Sequence, residues 1–293
     1  MIAECLSRAG DDSAQLGAAL ALLCTLACPP AKGLLQRPTD AFCLLEAAAE
    51  GSRLLLDSAA EHQDAEMADK GLLLAAAAAR SCSSSDHGRL PEWHSGAGKL
   101  QRLLMRTMLA MPLQPLRHRA FYALEALLAA FQADIRLQAV EEMISTSLPS
   151  VAALLLHSLT RWVTQSWPQS ASVGNSGSDD WKVLRHRLLP VLEATILTNG
   201  SCGWSTPPAL IEQAEPLCAA VNLLRLLLTR EKHQGPILSD ATIPAALSHN
   251  AVCTLSATAE AVLASLDQQG PEDLAAALGL ERILEVTSII LET

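Results

Sequence analysis

Apolar residues recur along this chain at steps of three and four, the spacing that puts them on one face of an α-helix. Leu116, Ala120, Leu124, Leu127, Leu128 and Phe131 make one such stripe. Leu217, Val221, Leu224 and Leu228 make another, widened by Leu223 and Leu227. Near the C-terminus, Pro271-Glu272-Asp273 reads as a helix start, because proline suits the first turn and acids suit the positive end of the helix dipole. Leu274, Leu278, Leu284 and Ile290-Leu291 are then expected on its apolar side. The pattern predicts about eleven helices, mostly of about 12–22 residues.

Three stretches interrupt it. Ser81 to Gly98 carries Ser83-Ser84-Ser85, Pro91 and three glycines, and reads as a mobile linker. Ser166 to Asp180 contains Pro168 and Gly174-Asn175-Ser176-Gly177-Ser178, a flexible polar loop. Asn199 to Pro208, with Gly200, Gly203 and Pro207-Pro208, reads as a turn. The expected organisation is N-terminal helical repeats over 1–80, a linker over 81–98, and a C-terminal helical-repeat domain over 99–293 with a loop at 166–180.

Composition sharpens the class. Half of the 293 residues are hydrophobic and 3% are aromatic, so the apolar mass is Leu, Ala, Val and Ile. Leu and Ala are strong helix formers, and strand-favouring residues are few. The fold class is all-α. Neither the tetratricopeptide nor the ankyrin signature occurs. Successive helices with broad apolar faces suit stacked antiparallel pairs, so an irregular HEAT- or armadillo-like solenoid is expected over a compact bundle.

A net charge of −10 disfavours non-specific attraction to nucleic acid or anionic lipid. The longest uncharged apolar stretch, Leu16 to Cys28, has 13 residues, short of the roughly 20 that span a bilayer. Eight cysteines are too few for a disulfide scaffold. Cys24, Cys28, Cys43, Cys218 and Cys253 read as small buried hydrophobes in a reducing compartment. A cytoplasmic protein, extending to the nucleus, is expected.

Catalytic motifs are scarce. Gly96-Ala97-Gly98-Lys99 resembles the end of a phosphate loop, but Trp93 stands where the first glycine belongs and Leu100 where Ser or Thr belongs. Cys82, His87 and His94 match no zinc-finger spacing. His157, inside Val151 to Leu159, reads as a packed, hydrogen-bonded residue. No enzyme, metal or cofactor is expected.

A binding scaffold remains. Arg119-Ala120-Phe121-Tyr122-Ala123-Leu124-Glu125-Ala126-Leu127-Leu128 resembles a helix of the glomulin family, which includes the plant aberrant lateral root formation protein. Asp134 to Val140, then Ser147-Leu148-Pro149-Ser150 and the helix after it, are similar to the next block. Ala220-Val221-Asn222-Leu223-Leu224-Arg225-Leu226-Leu227-Leu228 resembles a third, and the three together cover roughly residues 100–265. The resemblance implies a helical-repeat protein that binds the RING-box subunit of cullin-RING ubiquitin ligases. It would mask the surface where the ubiquitin-conjugating enzyme docks. The face would come from residues 182–266, with Trp204, Arg225, Arg230, Lys232 and His233 as candidate contacts at helix ends and loops. Trp181 is a further aromatic beside a loop. A generic HEAT-like adaptor in trafficking or nuclear transport shares the fold but not the partner. Asn222, set within a Leu-rich helix, is expected to bond a backbone group of a neighbouring repeat.

Overall fold

The computed structural model describes residues 17–22, 24, 38–83, 89–167, 179–193, 207–234, 252–266 and 271–292. These residues are mostly helical, with one isolated parallel bridge between Leu90 and Phe131. The helices are α1 (Pro38–His62), α2 (Ala65–Ser83), α3 (Ser95–Ala110), α4 (Gln114–Ala129), α5 (Ala133–Thr146), α6 (Pro149–Ser166), α7 (Asp179–Glu193), α8 (Pro207–Glu212), α9 (Ala214–Gln234), α10 (Val252–Ser265) and α11 (Pro271–Glu292). Packing divides the chain into two units, Met1–Arg136 and Leu137–Thr293.

In the first unit, α1 and α2 form an antiparallel hairpin joined by two residues. Gln63 takes a left-handed conformation, φ 53°, and ends α1. The Asp64 amide then donates to the Ala59 carbonyl at 3.0 Å, the closing bond of a Schellman turn. The Asp64 carboxylate accepts from the amides of Glu66 and Met67 at 2.9 and 3.1 Å, so it also caps α2. Glycines let the two backbones come close: a Cβ on Gly71 would meet Leu55 Cβ and the Ser52 carbonyl at 3.2 Å.

The second hairpin, α3 with α4, stacks on the first. α3 packs on α1, and α4 packs on α2. The predicted stripe on α4 is the buried face: Ala120, Leu124, Leu127 and Phe131 are fully buried. Each large side chain so buried contributes about 1.5–3 kcal/mol relative to exposure.

The division differs from the one expected at 81–98, because helices on both sides of that stretch pack together. Ser81 to Ser83 complete α2, with Cys82 fully buried. Leu90 is pinned between Ala130 and Gln132 by backbone bonds of 2.8 and 2.9 Å. Trp93 lies on Phe131 with centroids 4.6 Å apart. Residues 84–88, including His87, lie outside the described set.

In the second unit α6 packs on α9 and α9 on α11, a row of three, while α10 pairs with α11. Pro271 opens α11 as its sequence predicts, but the apolar register differs. Ala277, Leu280, Ile283, Val286 and Ile290 are buried, whereas Leu278 is 58% exposed and Leu291 also faces solvent. Asn222 is half-buried and donates to the Cys218 carbonyl of its own helix at 2.9 Å, not to a neighbouring repeat. Among the described residues, no helix is long and apolar enough to cross a membrane.

Candidate binding surfaces

The five predicted contact residues have different fates. Trp204 lies outside the described residues, and so does the side chain of His233, whose backbone belongs to α9. Arg225 is half-buried and Lys232 exposed; seven residues apart, they share one face of α9. Arg230 stands about 140° around the helix from Arg225. It is half-buried, with its guanidinium carbon 5.2 Å from the centroid of the Trp167 ring. Its charge therefore lies over an aromatic face of its own unit.

Trp181 belongs to the same cluster. It is buried, and its ring centroid is 4.4 Å from that of Trp167. Next to this pair, the Trp162 indole donates to the Asp180 carboxylate at 2.9 Å. These aromatics tie the end of α6 to the start of α7, with Arg230 of α9 over them, and form a packed anchor inside the unit.

The glycine-lysine stretch of α3 is a helix start. His94 Nδ1 accepts from the Gly96 amide at 3.3 Å, and its ring stacks on Phe42 at 4.9 Å. Lys99 pairs with Glu46, which also accepts from the Ser95 hydroxyl at 3.2 Å. The Lys99 ammonium holds the Glu46 carboxyl below the usual carboxylate range. Gly96 sits so close to α1 that a Cβ there would meet the Glu46 amide nitrogen at 2.7 Å.

Cysteine and histidine positions needed further correction. Cys24 and Cys43 are exposed, Cys218 and Cys253 are half-buried, and Cys28 lies outside the described residues. Among the described residues Cys82 is the buried thiol: it donates weakly to the Ala41 carbonyl at 3.8 Å, and burial pushes its pKa up to about 12. His157 faces solvent on α6, together with Leu154 and Arg161 at helical spacing. Among the described residues, no group of three His, Cys, Asp or Glu side chains is placed to hold a metal ion.

One feature was missed by sequence reasoning. The first unit carries a cavity of about 510 Å³ between the tips of its two hairpins. Ala59, Ala60, Ala65 and Ala68 form one wall, and Leu103, Met111, Pro112 and Leu116 contribute to the other. Leu113, which also lines it, is 48% exposed. Asp57, Asp64 and Arg106 are its charged lining residues. No family model matches the chain, and no curated protein matches it.

Proposed function

We propose that this protein is a non-enzymatic scaffold of the irregular HEAT/armadillo-like kind, which binds other proteins through helical faces. The order of packing in the first unit carries the reading. Helix α1 packs on α3 and α2 on α4, so like helices of successive hairpins stack in two layers. An up-and-down bundle would place α2 beside α3 and close the ring with α1 beside α4. In the second unit α6, α9 and α11 form one row of packed helices. Stacked repeats of this kind provide extended faces for partners.

The finer reading rests on the resemblance of 119–128, 134–156 and 220–228 to the glomulin family. On it, the partner is the RING-box subunit of a cullin-RING ubiquitin ligase, bound in the cytoplasm or nucleus, and ubiquitin transfer is inhibited. Masking needs a rigid face of around 800 Å² per partner and a few anchors, and no catalytic group. Arg225 and Lys232, on one face of α9, are the described side chains left to serve as contacts. The test is ubiquitin discharge by a purified cullin–RING-box complex, titrated with this protein. Inhibition at micromolar concentration, weakened about tenfold or more by the pair Arg225→Ala and Lys232→Ala, supports the reading. Unaffected discharge rejects the RING-box partner and leaves the generic adaptor.

A further inference from the structure

The cavity between the hairpin tips goes beyond a protein-binding role. We propose that it is a binding site for a small amphipathic anion, an apolar chain or flat apolar body bearing one carboxylate.

Three observations converge on that chemistry. The volume of about 510 Å³ falls within the range of small-molecule sites, about 300–1,000 Å³. Each helix lends a turn or two of lining, which makes a pocket and not the long trough that a docked helix requires. The walls are apolar: alanines leave the space open on one side, and Leu103, Met111 and Leu116 face it from the other.

Its charges decide the sign of the ligand. Asp57 accepts from the Arg53 guanidinium at 2.8 Å. Asp64 accepts from two backbone amides at the start of α2. The Thr107 hydroxyl donates to the Leu103 carbonyl at 2.8 Å. Both acids are therefore engaged within the fold. Arg106 is exposed and has no ion-pair partner among the described residues. A guanidinium with free donors at the edge of an apolar pocket matches a carboxylate, which it binds through two parallel hydrogen bonds. Arg106 is the one cation among the residues that line the cavity.

Dodecanoate is the probe, kept below its micelle concentration, with dodecanol and dodecyltrimethylammonium as neutral and cationic counterparts. The readout is the methyl resonance of methionines labelled with ¹³C: Met111 lines the cavity, and buried Met143 in the other unit is the control. Saturable movement of Met111 with dodecanoate, at least about tenfold tighter than with either counterpart, is expected. Arg106→Glu should weaken it by about tenfold or more, and Ala60→Phe should abolish it by filling the mouth. Both positions are exposed, so neither variant disturbs the core. Equal response to the cationic chain, unchanged binding by Arg106→Glu, or a Met111 signal that stays still at millimolar dodecanoate overturns the proposal. The wild-type series decides alone should a variant fail to fold. Because purified protein suffices, the outcome is independent of whether the RING-box partner binds.

Discussion

Gly96 and Gly98 lie two residues apart in the first turn of α3, and an added methyl group should act in opposite directions at the two sites. At Gly98 the nearest atoms to a new Cβ are Arg102 Nη1 and Trp93 Nε1, both at 3.6 Å, which is ordinary contact. Gly98→Ala therefore keeps the gain in helix propensity and the reduced freedom of the unfolded chain, together about 0.5–1 kcal/mol of stabilisation. At Gly96 the new Cβ would meet the Glu46 amide nitrogen at 2.7 Å, Glu46 Oε2 at 2.8 Å and Glu46 Cα at 3.0 Å. Two of those atoms are backbone of α1, so the helices must separate. Overpacking of this kind costs about 1–3 kcal/mol. Movement of Glu46 also loosens its contacts with Lys99 and Ser95, which are exposed and add little. Set against a propensity gain below about 1 kcal/mol, Gly96→Ala should destabilise by about 1–2 kcal/mol. Urea and thermal melts followed by circular dichroism measure both. The midpoints should move apart, by about 3 °C for each kcal/mol. Stabilisation by both substitutions would mean that α3 does not approach α1 as described.

Gln63 holds a left-handed backbone without being glycine, so Gln63→Gly should stabilise the first unit by about 1 kcal/mol; a lower urea midpoint would refute the Schellman assignment. Native protein at pH 8 should be alkylated at Cys43 and Cys24 within minutes, while Cys82 reacts only on unfolding, as mass mapping would show. The Cys82 thiol holds its proton to about 12 when folded against an ordinary 9.0 when unfolded. Unfolding therefore releases a proton between those values, and stability should fall as pH rises through that window, an effect that Cys82→Ala removes. Arg230→Ala should cost the second unit about 0.5–1 kcal/mol through loss of the guanidinium from the Trp167 face, read as a shift in tryptophan emission and urea midpoint. An unchanged midpoint would return Arg230 to the pool of free surface cations.

The fold class was legible because period and composition agree: the α4 stripe from Leu116 to Phe131 needed nothing beyond its spacing. Register failed where leucines occupy both sides of a helix. In α11 the buried row runs through Ala277, Leu280, Ile283 and Val286, and counting leucines alone selected Leu278, which is exposed. His157 was misplaced for the same reason, since exposed Leu154 made its face look apolar. The stretch 81–98 looked like a linker from its Ser and Gly content. Leu90 and Trp93 hold part of it by contacts with residues some forty positions later, which no local pattern reveals. Arg230 and Trp181 carry the residue types of an interface, and both lie against Trp167, a contact that no local pattern reveals. The cavity was invisible because alanines in a helix read as good helix formers, and the space they leave exists only once a second hairpin faces them.

The contact between Trp167 and Trp181 also bears on how the chain between them can change over evolution. It holds α6 and α7 together through Trp167 and Trp181, whatever length of chain runs between the two helices. Closing a loop whose ends are already held costs only about 0.6 kcal/mol more for each doubling of its length. Insertions there are thermodynamically cheap, and a reporter peptide or an extra recognition segment can be carried between the two tryptophans while α6 and α7 stay docked. The same insertion between α1 and α2 would separate the Schellman turn at Gln63 from the cap at Asp64, and the hairpin would lose both.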